Sequence, residues 1–73
     1  MSKGYFLIGS FNPNEDVGID RIKALASELI DEIEASSNEY VCDEAKQLCY
    51  QANLLVLQAQ MLAVKAIYLG QQS

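Results

Sequence analysis

The chain has 73 residues, ten acidic and five basic, for a net charge of −5, and it contains no histidine and no tryptophan. This length allows one small domain and excludes a second. The acidic balance disfavours duplex nucleic acid as a partner, and the lack of histidine removes the commonest general base and metal ligand. A lone chain this short has only a small free energy of unfolding, so we expect an additional stabilising element or a partner chain.

The N-terminal segment, residues 1–11, contains a short apolar stretch, Tyr5-Phe6-Leu7-Ile8, between glycines. It is either extended or packs across a neighbouring helix, and it is too short for the core of a signal peptide. Cys42 and Cys49 would lie about 10 Å apart along a helix, which excludes a disulfide within one chain. We therefore expect a cytoplasmic protein with both thiols reduced.

The first predicted helix covers about residues 13–36. Asn12 suits the N-cap, Pro13 the first helical position and Glu15 the closing position of a capping box. Apolar residues then recur with the spacing of one face of an amphipathic helix. These are Ile19, Ile22, Ala26, Leu29 and Ile33.

The second predicted helix covers about residues 39–69. Ser36, Ser37 and Asn38 favour a turn before it, and no glycine or proline follows until Gly70. The fold class is therefore all-α, a two-helix antiparallel hairpin with a short N-terminal segment, and residues 1–73 form a single helical-hairpin domain.

The polar residues of the second predicted helix fall into two seams on almost opposite sides, at 100° per residue. One seam contains Gln47, Gln51, Gln58 and Lys65, and the other contains Lys46, Asn53 and Gln60. Two apolar faces lie between these seams. One holds Leu48, Ala52, Leu55, Val56, Ala59, Leu62, Ala63 and Ala66, and the other holds Tyr50, Leu54, Leu57, Met61, Val64 and Tyr68.

The first helix can cover only one of these apolar faces. We expect the other to be buried against further copies of the chain, in a homo-oligomeric helical bundle. Docking onto a different partner protein, as a small helical adaptor, is the alternative. The amide side chains along the second helix argue against a membrane span.

No catalytic or metal centre is indicated. Ser27, Ser36 and Ser37 have no histidine to activate them, and the acidic residues of the first helix spread around its surface. We expect no enzymatic activity, no metal and no cofactor.

The five basic residues suit the binding of a small anionic ligand better than they suit catalysis or metal binding. Arg21 and Lys23 are expected near the Asn12 entrance of the first helix, where free backbone N–H groups can meet a phosphate. Phe11 precedes that entrance, either stacking on a base or packing as a hydrophobic staple. Lys65 is the sole charge in a long apolar stretch, where it either snorkels or meets an anion.

Several stretches of the chain resemble the small helical-hairpin proteins with which phages sequester cyclic-nucleotide signals, known as anti-CBASS and anti-Thoeris sponges. The stretches are Phe11-Asn12-Pro13, Ile19-Asp20-Arg21-Ile22-Lys23-Ala24-Leu25-Ala26, Leu29-Ile30-Asp31 and Met61-Leu62-Ala63-Val64-Lys65-Ala66, and the likeness extends from Phe11 to Ile67. The resemblance implies a homohexamer that holds second messengers of bacterial immunity in pockets between protomers, in the host cytoplasm during infection.

The resemblance also implies roles for individual residues. Lys23 corresponds to the phosphate-side contact of a cyclic-dinucleotide pocket, and Phe11 to its base-stacking aromatic. Lys65 corresponds to a basic residue of a second pocket, for cyclic trinucleotides. With Asn12 and Arg21, these residues form the predicted ligand-binding set, and cyclic ADP-ribose isomers are further expected ligands.

Overall fold

The computed structural model describes residues 3–9, 11–39 and 42–72, and all regular structure within them is helical. Helix α1 spans Lys3–Ile8, α2 spans Val17–Asn38 and α3 spans Asp43–Gln72. Near the end of α3, the Gln71 side chain is hydrogen-bonded to Asn14 and Asp16, just before α2. The predicted all-α hairpin is therefore confirmed, and the N-terminal segment adds a short third helix to it.

The start of α2 differs from the prediction, because its N-cap is Asp16 and not Asn12. The Asp16 carboxylate accepts the Ile19 N–H at 3.0 Å. Asn12 instead opens a turn in which its carbonyl accepts the Glu15 N–H at 3.1 Å. Glu15 has a φ of 51°, a left-handed conformation that cannot continue into a helix. Pro13 therefore lies in this turn, which suits its fixed φ as well as a first helical turn does.

The other helix ends also differ from their predicted positions. Helix α2 continues through Ser36 and Ser37 to Asn38, and the Glu39 N–H then donates to the Ser36 carbonyl at 3.1 Å. The predicted start of the second helix falls beside residues 40 and 41, which lie outside the described residues, and α3 begins at Asp43. It continues through Gly70 to Gln72, so Gly70 does not end the helix as predicted.

Helix α1 lies directly on α2 because Gly4 has no side chain. A Cβ at position 4 would come within 2.1 Å of the Ser27 carbonyl oxygen. The Gly4 N–H donates to the Asp31 carboxylate at 2.8 Å. At the other end of α1, Lys23 Nζ donates to the Ile8 carbonyl at 3.3 Å. Of the two arrangements expected for this segment, the structure has the one that packs across a helix.

Helix α2 contacts α3 along the polar seam that contains Asn53 and Gln60. These two side chains are only 5% and 4% exposed, so this seam is buried and does not face solvent. Asn53 Nδ2 donates to Glu34 at 3.4 Å, and Glu34 also pairs with Lys3 at 3.3 Å. The apolar core beside them is small. It consists of Ile8, Ala26 and Ile30, with Val56 and Leu57 packed against them.

The two apolar faces of α3 flank this seam, and α2 covers neither of them completely, contrary to the expectation that it would cover one. Large side chains remain exposed on both. Leu48, Leu55 and Leu62 are exposed on one face, and Tyr50, Leu54 and Met61 on the other. By length and composition alone, residues 43–71 would suffice to cross a membrane, a test that core helices of soluble proteins also pass.

Candidate functional site

A groove of about 570 Å³ lies where α1, the segment before α2, α2 and α3 meet. Its walls are mostly apolar, with two lysines, one amide and two aromatic rings among them. The lining residues are Leu7, Ile8, Phe11, Lys23, Leu57, Gln60, Met61, Val64, Lys65 and Tyr68. Three of the five predicted ligand-binding residues, Phe11, Lys23 and Lys65, are thus brought to one groove, although they lie far apart in sequence.

Lys23 lines this groove and also contacts the end of α1. Its side chain is buried, and Nζ donates to the carbonyl of Ile8 at the end of α1. Carbonyls at a helix C-terminus lack intrahelical partners, and a cation there is favourable. An ammonium group carries three N–H donors, and the contact with Ile8 uses one of them.

Two aromatic rings form one end of the groove. The centroids of Phe11 and Tyr68 are 5.9 Å apart, with the rings inclined at 60°, an edge-to-face arrangement that aromatic pairs favour. This ring contact joins Phe11 to α3, whereas a staple would have joined it to α2. Phe11 is still 61% exposed, so part of its ring remains accessible to a planar partner.

Gln60 is a groove residue that the sequence pattern did not indicate. Its side-chain oxygen Oε1 is buried and accepts no hydrogen bond from the described residues. Leaving such an acceptor unsatisfied costs about 1–3 kcal/mol. The side chain borders this groove and also the shallow groove between α2 and α3, so a ligand here would remove that cost only if the side chain turns Oε1 toward it.

The remaining two predicted ligand residues lie outside the groove. The Asn12 side chain donates to the Asp16 carbonyl and the Asp20 carboxylate, both at 2.8 Å, and accepts the Asp16 N–H at 2.9 Å. Asn12 therefore holds the turn before α2. The Asp16 carboxylate also occupies the place that a phosphate would take at the helix start. Arg21 is exposed on α2 and is not among the lining residues.

The groove carries groups that suit the binding of a flat anion. Lys23 and Lys65 can meet an anion, the aromatic end can stack a flat ring, and Gln60 can accept a hydrogen bond from it. Among the residues that the structure describes, no group of three or more His, Cys, Asp or Glu side chains is placed to hold a metal ion. No family model matches the chain, and no curated protein or solved structure matches it significantly.

Proposed function

We propose that this protein binds cyclic nucleotide second messengers of bacterial immunity and sequesters them without cleaving them, as the phage anti-CBASS and anti-Thoeris sponges do. The observation that carries the proposal is the convergence of Phe11, Lys23 and Lys65 on one groove. Cyclic dinucleotides are the proposed ligands, with cyclic trinucleotides and cyclic ADP-ribose isomers as related ones.

The groove offers a partner for each part of such a ligand. A base stacks on the exposed ring of Phe11, and such stacking contributes about 1–3 kcal/mol per base. A phosphate lies between the ammonium groups of Lys23 and Lys65. Once the Gln60 side chain turns its buried, unsatisfied Oε1 toward the groove, that oxygen accepts an N–H from the base, which adenine and guanine supply from their exocyclic amino groups.

Sequestration requires affinity and abundance, and no bond of the ligand has to break. While the second messenger stays bound, it cannot activate the effector protein of the immune response. Such sponges are homohexamers, and we propose that this chain also self-assembles and acts in the cytoplasm of the infected host.

The test is a retention assay. Purified protein is incubated with a panel of cyclic di- and trinucleotides and cyclic ADP-ribose isomers, freed of unbound nucleotide and denatured, and the released material is identified by mass spectrometry. We expect at least one ligand to be recovered intact. Recovery of a hydrolysed product would contradict sequestration, and an empty panel would contradict nucleotide binding altogether.

The exposed leucines of α3 support a second candidate function, that of a helical adaptor which docks on a host or phage protein. Light scattering separates the two. A protein that stays monomeric alone and pairs only with another polypeptide favours the adaptor, whereas self-assembly favours the sponge.

A further inference from the structure

Helix α3 carries a strict seven-residue repeat on one side. Leucine recurs at positions 48, 55, 62 and 69, and alanine recurs three residues before each leucine, at positions 45, 52, 59 and 66. This is a heptad pattern with alanine at every a position and leucine at every d position. We call these eight residues the Ala/Leu face. Its leucines are 65%, 66%, 69% and 55% exposed in chain order, so the hairpin itself leaves the face uncovered.

Helix α2 widens this surface. Leu25 and Leu29 of α2 are exposed beside it, and they line a shallow groove of about 320 Å³ together with Ala59. A second groove of about 320 Å³ lies further along, between Ile33 of α2 and Leu48 of α3. The hairpin therefore presents an apolar surface two helices wide, with two hollows into which the side chains of a partner can insert.

We infer that this surface is the contact between two copies of the chain, whose α3 helices pack antiparallel through the Ala/Leu face. In an antiparallel pair, a positions lie opposite d positions, so every layer contains one alanine and one leucine. A parallel pair would alternate layers of two alanines, which leave voids, with layers of two leucines. Alternating large and small side chains across facing positions is what fills an interface at native density.

The charges along α3 favour the same orientation. Asp43 and Glu44 lie at its N-terminal end and Lys65 in its C-terminal half, while Lys46, which offsets one acidic charge, falls on the side of the helix opposite the Ala/Leu face at 100° per residue. An antiparallel pair brings the acidic end of each copy toward the half of the other copy that carries Lys65. A parallel pair would place the two acidic ends and the two helix dipoles side by side, which is unfavourable.

The size of the surface fits a second copy. The repeat is about 36 Å long at 1.5 Å per residue, and two helices side by side are about 20 Å wide, which gives on the order of 700 Å². A stable interface buries about 800 Å² per partner. A lipid surface would match leucines equally well, but it gains nothing from the regular alanine hollows, which suit an inserted side chain.

The inference rests on the self-assembly in the proposed function but not on its ligand. None of the eight residues of the Ala/Leu face lines the nucleotide groove. The proposed contact between copies and the proposed nucleotide binding can therefore fail separately. For this reason, both the mass and the nucleotide retention of each variant below are measured.

The first test is the mass of the full-length protein by multi-angle light scattering, compared with that of Leu62→Glu. We expect a self-assembly of an even number of copies for the wild type and at least a halving of the mass for the variant. Tyr50→Glu is the matched control, because Tyr50 is 63% exposed on the other apolar face of α3, and it should keep the assembly. A monomeric wild type, an unchanged Leu62→Glu or a larger effect of Tyr50→Glu would each overturn the inference.

The second test reads the orientation from the assembled protein, so it does not depend on a stable monomer. Cys42 and Cys49 are replaced by serine, and Leu48→Cys and Ala66→Cys are introduced in separate, co-expressed chains. These positions are about 27 Å apart along a helix, so an antiparallel pair should give the mixed disulfide only. A disulfide between two Leu48→Cys chains, or no disulfide from an assembled protein, would refute antiparallel packing. Flotation of the wild type with vesicles, lost in Leu62→Glu, would assign the surface to lipid instead.

Discussion

The ammonium group of Lys23 donates a hydrogen bond to the carbonyl of Ile8 at 3.3 Å and so joins the middle of the hairpin to the end of α1. The same side chain lines the groove together with Phe11 and Lys65. One residue thus positions a wall of the groove and supplies part of its charge. A change at Lys23 is therefore expected to affect both stability and binding. The two effects have to be measured separately.

Replacing Lys23 by methionine keeps most of the apolar stem and removes the donor. We expect Lys23→Met to lower the free energy of unfolding by about 1.5–3 kcal/mol, the value of a hydrogen bond involving a charged group. Amide hydrogen exchange should accelerate mainly in α1. Lys46→Met, at an exposed lysine of α3 outside the groove, is the control and should change neither quantity. Unchanged exchange in α1 would show that the Lys23 contact does not hold this helix.

Gly4→Ala tests the close contact between α1 and α2. The added methyl group would lie 2.1 Å from the Ser27 carbonyl oxygen and 2.9 Å from the Asp31 carboxylate, so α1 must move away from α2. We expect a loss of about 2 kcal/mol or more in thermal or urea unfolding, since overpacking typically costs 1–3 kcal/mol. Gly70→Ala meets no atom within 4 Å and lies within α3, so it should instead stabilise by up to about 1 kcal/mol. Equal effects of both substitutions would contradict the packing of α1.

The hairpin was predictable because its signals are long and redundant. The apolar spacing from Ile19 to Ile33 and the absence of glycine and proline before Gly70 each indicate a helix over several turns. The ends were not predictable to the residue, because Asn12 and Asp16 are both good caps and only tertiary contacts choose between them. Gln71 of α3 hydrogen-bonds Asp16 at 2.6 Å, a contact that no local pattern contains.

The site was predictable only in part, for a related reason. Phe11, Lys23 and Lys65 were identified because each is chemically conspicuous in its own segment. The role of Gln60 was missed because a helical wheel gives the angle between side chains but not the side on which a neighbouring helix packs. Asn53 and Gln60 formed a regular polar seam, and α2 covers that seam while large side chains on both apolar faces beside it stay exposed.

Lys65 should contribute charge without contributing to the fold, since it is exposed and no hydrogen bond or ion pair holds it among the described residues. We expect Lys65→Ala to weaken nucleotide binding about fivefold to tenfold, an effect that shrinks as salt is raised because exposed charges are screened. The circular dichroism melt should be unchanged. Isothermal titration at two salt concentrations measures the affinity, with Lys46→Ala as the charge-matched control. An equal loss for both lysines would mean that only net charge matters.

Gln60→Leu distinguishes a binding role of Gln60 from a structural one, because the two roles predict different changes in melting temperature and in nucleotide affinity. Leucine removes the buried Oε1 that accepts no hydrogen bond among the described residues, and replacing an unsatisfied polar group by an apolar one of similar size is neutral or stabilising. The melting temperature should therefore stay the same or rise. Nucleotide affinity should fall at least tenfold, because the acceptor for the base is gone. Gln47→Leu, at an exposed position of α3 outside the groove, is the matched control and should leave the affinity unchanged. A stabilised Gln60→Leu protein that still binds with full affinity would show that Gln60 does not contact the ligand, and a destabilised one would show that its side chain supports the fold.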